Sequence, residues 1–197
     1  GYEETNGTWM AGVKHDAIQD LLNRLAHKLC LYAPREVFAN ETAIRSGFAD
    51  ALLHLNRRNV ANALSSLAAR KDIEAHLQQG VDKGDMTPDA KGALLLVGDL
   101  QGYIDLALEV APFYRAGEHA AAHELEKILE DEIFPRLEPE MRQAFAAFTK
   151  QYVDLRPDMT RDELRAWGKG VLNILAGTLA EKKMVAGFSV STFHSNL

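Results

Sequence analysis

The sequence predicts an all-α fold: about seven helices in an up-down or orthogonal bundle, followed by a short non-helical C-terminal tail. Three observations predict it. Apolar residues recur three or four apart along most of the chain, the spacing that places them on one helical face. Proline and glycine fall between these stretches, where helices stop and start. The one β-prone stretch is the end of the chain, Gly187 to Leu197, which is too short for a sheet of its own.

The first helix is expected from about Ala11 to Leu31. Val13, Ala17, Ile18, Leu21, Leu22, Leu25 and Leu29 make its apolar stripe, and Pro34 is expected to close it. A second begins at Asn40, a capping residue type, and its stripe runs through Ile44, Phe48, Leu52 and Leu55. The stripe continues through Val60, Leu64, Leu67 and Ile73, and Gly80 is the expected stop. Gly80 to Asp85 is the clearest loop. Thr87, Pro88 and Asp89 then open a helix with a cap, a first-turn proline and an acid at the positive end of the dipole.

That helix, to about Tyr114, is apolar on most sides and therefore central. Gly92, Gly98 and Gly102 lie inside it, which predicts close approach by a neighbouring helix. Pro112 is expected to kink or end it. Helices follow from Glu118 to about Phe134, along Met141, Phe145, Phe148 and Tyr152, and from the capping box Thr160–Glu163 to about Met184. The domain reading is an N-terminal extension at 1–10, one helical domain at 11–184 divisible into halves 11–80 and 87–184, and a tail at 185–197.

Tyr114-Arg-Ala-Gly-Glu-His-Ala-Ala-Ala, with Leu129 and Pro135, resembles the end of one tetratricopeptide unit and its second helix. It covers about one repeat where a solenoid needs three, so it implies helical-hairpin packing as an alternative architecture. His15-Asp-Ala-Ile-Gln-Asp-Leu-Leu resembles the first helix of hemerythrin-like domains, and Leu129 to Pro135 resembles their second. That resemblance implies a histidine ligand after the proline. Arg136 stands there instead, only the following Glu140 matches, and the family is not assigned.

No phosphate-binding glycine loop and no nucleophile elbow occurs in the sequence. One cysteine, Cys30, excludes an internal disulfide and a multi-cysteine zinc site. Cys30 is read as a small buried hydrophobe. The candidate metal ligands are His119 and His123, one turn apart, with Glu126 and Glu130 extending the same face. Asp105 and Glu109 are expected to face this helix across the Gly117 turn. A solvated stripe over an inner face of Ala122, Leu125 and Leu129 is the stronger account of the same residues.

From Arg24 to Lys71 eight basic residues stand against three acidic, and from Glu118 to Met141 eight acidic against two basic. The basic half offers Arg57, Arg58 and Arg70 as anion or nucleic-acid contacts. Arg70 and His76 are similar in spacing to the arginine–histidine pair of some helical RNases. The net charge of −6 and the lack of aromatic residues among the arginines disfavour nucleic acid.

The function expected is that of a non-enzymatic helical interaction or adaptor protein of regulatory type. It would need no cofactor, and its partner would be another protein or a second copy. A metal- or small-ligand-binding bundle is the alternative, and nucleic-acid binding the weaker one. No apolar run is long enough to span a membrane, and the first residues lack the basic and apolar regions of a signal peptide. With a single cysteine, this leads to a cytoplasmic expectation. A chain opening on Gly1 is expected to have been trimmed or cut from a longer one, or to start natively at Met10. Tyr2, Trp9, Phe188 and Phe193 are expected to dock on the body or on a partner.

Overall fold

The computed structural model describes residues 15–184 together with 186 and 188, and the described residues form helices with no strand. The expected extension at 1–10, the start of the first helix at 11–14 and most of the tail lie outside them. Eight α-helices follow in order: α1 His15–His27, α2 Ala33–Ala43, α3 Ala49–Asp82, α4 Pro88–Tyr103, α5 Asp105–Ala116, α6 His119–Ile128, α7 Glu140–Val153 and α8 Arg161–Ala180. The buried apolar residues make one continuous core from Ile18 to Met184. α5 lies at its centre, packed against α2, α7, α6, α3 and α4.

Pro34 does not end the first helical run. A π turn at Lys28–Tyr32 carries the chain into α2, and the Ala33 N–H reaches back five residues to the Lys28 carbonyl. Pro34 then sits in the first turn of α2, and the Leu29 carbonyl five residues back accepts from the Tyr152 hydroxyl at 2.5 Å. α2 is therefore already formed at Asn40, which is interior and not a cap. The same device recurs at Leu129–Ile133, where the Phe134 N–H bonds the Leu129 carbonyl just before Pro135.

The real break in the expected second helix is Gly47, whose φ of 93° lies in the left-handed region. The chain restarts there as α3. Gly80 does not stop α3, because the left-handed stop is Gly84. The Gly84 N–H bonds the Val81 carbonyl and the Asp85 N–H bonds the Gly80 carbonyl, the paired bonds of a Schellman turn. Gly117 ends α5 with the same pair, to Tyr114 and Phe113.

The expected helix from Pro88 to Tyr114 divides at Ile104, where the Ala107 N–H bonds the Ile104 carbonyl at 3.0 Å, one residue short of the α pattern. Pro112 lies inside α5 without ending it. The close approach expected at Gly98 and Gly102 is absent: a Cβ at either would meet nothing within 4 Å. Gly92 faces only the Lys182 side chain. The caps at Thr87 and Thr160 form as predicted, and Thr160 and Glu163 make both bonds of the capping box. α8 ends at Ala180, and Met184 is its capping contact. The Met184 N–H bonds the Leu179 carbonyl, both side chains are buried, and Lys183 between them takes φ 61°.

Buried polar groups tie the helices together. The Arg115 guanidinium on α5 donates to the carbonyls of Tyr152, Val153 and Leu155, closing the end of α7. Its Nε reaches Glu41 on α2 at 2.7 Å, and its charge lies over the Phe38 ring. α7 and α8 exchange bonds: Trp167 Nε1 donates to the Gln151 carbonyl and Gln151 Nε2 to the Trp167 carbonyl.

Candidate functional site

The four candidate metal ligands share the α6 side of the molecule but not a common focus. His119 and His123 are both exposed, and both rings lie against Tyr114, with centroids 5.8 and 5.6 Å away. The Tyr114 hydroxyl donates to Glu126 at 2.5 Å, and burial with that carboxylate raises the phenol well above its ordinary value. Glu130 lies in the π turn after α6 and pairs with Arg142 at 2.7 Å. Among the described residues no three His, Cys, Asp or Glu side chains converge as ligands. The helix spacing set these residues in a row; Tyr114 then occupies three of them and Arg142 the fourth.

The basic candidates also part. Arg57 pairs with Glu124 on α6, and Arg58 is exposed on α3. Arg70 is not available to an outside anion. Its side chain is 11% exposed, and it makes a two-pronged bond to Asp99, with Glu74 and Glu138 beside it. The hydrogen bond from Arg70 to Asp99 raises the guanidinium above its ordinary value. Burial pushes the Asp99 carboxyl up, against the pull of Arg70 and the Glu138 N–H. The expected Arg70–His76 pairing therefore fails: Arg70 turns inward and His76 is exposed.

Asp105 and Glu109 do not face α6. They point to the seam where α5 meets α3 and the first π turn. Lys28 Nζ reaches Asp105 Oδ2 at 2.5 Å, while Asp105 Oδ1 is buried with no partner. Asn59 Nδ2 donates to Glu109 Oε1 at 2.8 Å, and Asn56 Nδ2 to the Glu109 carbonyl at 3.3 Å. Burial, opposed by Asn59 and reinforced by Asp105 and Glu36, pushes the Glu109 carboxyl up to about 7. Nearby, burial pushes the Cys30 thiol up to about 11, which makes it a poor nucleophile at neutral pH. Tyr152 donates to the Leu29 carbonyl, and burial raises its phenol.

Sequence reasoning missed Glu109 and Asp99 as interior carboxylates. Within so apolar a helix, an acid has to find a donor or stay exposed, and that was the available signal.

Several large apolar side chains face solvent. Phe48, Leu55 and Ile73 are 60%, 45% and 57% exposed, and Leu31 and Tyr32 on the first π turn are exposed as well. α3 buries only Asn56, Val60 and Leu67 of its 34 residues. Phe188, the one terminal aromatic within the described residues, packs partly buried against the core. No described helix is long and apolar enough to cross a membrane. Comparison with family models, curated proteins and solved structures finds no match to this chain.

Proposed function

We propose that this chain is a non-enzymatic helical interaction protein that pairs with a second copy of itself along α3. The observation that carries the proposal is the line of exposed apolar side chains on that helix. Leu55 and Ile73 are eighteen residues apart, about five turns at 3.6 residues each, so they lie on one line of α3. An antiparallel two-fold near Leu64 lays Leu55 of each copy on Ile73 of the other. The same two-fold brings the exposed Arg58 within reach of the exposed Asp72 on the same flank, a complementary rim pair. Small exposed residues, Ala51, Asn62, Ser65 and Ala69, occupy the flank between and permit close approach.

Sedimentation equilibrium tests it. The wild type is expected to be dimeric, and Leu55→Asp with Ile73→Asp monomeric with unchanged circular dichroism. Both positions are solvent-facing in one copy, so the variant is expected to fold. A monomeric wild type, or a variant that stays dimeric, overturns the proposal. In the second case another face would be the contact, with Leu31 and Tyr32 the next to substitute.

A further inference from the structure

We propose that the seam between α3 and α5 is proton-linked: one proton held on Glu109 keeps α3 clasped to α5, and its release loosens the clasp.

The geometry carries this independently of any self-association. Both polar contacts of α3 at this seam, from Asn56 and from Asn59, end on the single residue Glu109. Asp105 lies one turn earlier on the same face of α5. Glu36 of α2, which is exposed, adds a weaker negative field from the same side. Facing them, among the described residues, is one ammonium, Lys28 of the first π turn, already bonded to Asp105. The other elements packed on α5 send their charges elsewhere. Asp99 of α4 goes to Arg70, Glu124 of α6 pairs with Arg57, and Arg45 before Gly47 goes to Glu41 and the Arg115 carbonyl. From α7 the group sees the Tyr152 hydroxyl, and from the first π turn the Cys30 thiol, and burial keeps both protonated. With Asp105 paired to Lys28, the half-buried Glu109 carboxylate has no cation of its own among the described residues, so its ionisation leaves uncompensated negative charge at the seam. Taking up one proton removes part of it. Opening the seam lets water do the same, so deprotonation favours opening.

Hydrogen exchange of the full chain, corrected for the intrinsic pH dependence of amide exchange, tests this directly. Protection of the α3 amides from Ala49 to Leu67 is expected to fall at least about threefold between roughly pH 5.5 and 8.5. Glu109→Gln, which keeps the acceptor for Asn59 but cannot ionise, is expected to hold that protection constant. Flat protection in the wild type, or the same fall in Glu109→Gln, overturns the inference. Should that variant not fold, the wild-type glutamate side-chain carbons decide by nuclear magnetic resonance. One midpoint near neutrality supports the linkage, and ordinary midpoints for every glutamate overturn it.

Discussion

Arg70 on α3 and Asp99 on α4 meet through two parallel hydrogen bonds, Nε to Oδ1 at 2.6 Å and Nη2 to Oδ2 at 2.9 Å. Asp99 Oδ2 also accepts the Glu138 N–H at 2.8 Å, so one carboxylate that is 2% exposed fastens three segments. Lys182, paired with Glu138 and Glu140, extends the network to the end of α8.

Asp99→Ala leaves the Arg70 charge buried without its principal partner. The expected loss of stability is about 3–5 kcal/mol, measured as a lower urea midpoint. Replacing both residues together, Arg70→Met with Asp99→Leu, is expected to cost less than either single change. A double variant no better than the singles would mean that the pair contributes more than it costs to desolvate.

Gly98 is exposed in the interior of α4 and has open space where a Cβ would stand. Gly98→Ala is expected to raise stability by about 0.5–1 kcal/mol, because alanine loses less backbone freedom on folding. Thermal unfolding reads this as a higher midpoint. A lower one would show that the site is less open than its geometry indicates.

Glu109 gives stability a definite pH dependence. Its folded carboxyl lies near 7 against 4.5 for an ordinary glutamate, so the folded protein holds the proton more tightly than the unfolded chain. The stabilisation is complete below the lower value and drains away as pH rises through the window to about 7. The slope from this one group is at most about 1.4 kcal/mol per pH unit. Chemical denaturation of the wild type minus that of Glu109→Gln isolates it, and the difference should shrink towards acid pH.

Lys183 adopts the left-handed conformation that costs a non-glycine residue about 1–2 kcal/mol. Its Nζ pairs with Asp89 at 2.6 Å, but both side chains are largely exposed, and such pairs contribute about 0–1 kcal/mol. Lys183→Gly should therefore match or slightly exceed the wild type in thermal stability. Lys183→Val should fall clearly below it, because a β-branched residue fits that backbone worst.

Features that depend on a few neighbouring residues were legible before any coordinates. Thr87 with Pro88, and Thr160 with Glu163, form their caps as predicted because both partners lie within one turn. The all-helical class was legible for the same reason, through repeated spacing. Pro34 misled, since a proline signals a helix end only when no wider turn precedes it. Gly47 and Gly84 were hidden among equally eligible glycines, and only the path of the chain decides which one turns left-handed. The polar sites failed for a different reason. His119, His123, Glu126 and Glu130 were aligned correctly by helix spacing, but Tyr114 from α5 occupies the first three and Arg142 from α7 takes Glu130. The partners of Asp99 and Glu109 are likewise brought in by the fold, Arg70 and Asn59 from α3 and Lys28 from the first π turn, so the sequence around each acid does not name them.

The wide turn at Lys28–Tyr32 has a consequence for how the gene tolerates changes in length. Such a turn holds one residue more than the α-turn it replaces, so all that follows is rotated by about 100° relative to an unbroken helix. Deleting one residue there would restore an even winding and leave Ala33 and Val37 facing the interior they now fill. A codon lost at this point is therefore absorbed locally, whereas one lost from an even stretch of helix would turn all that follows by about 100°.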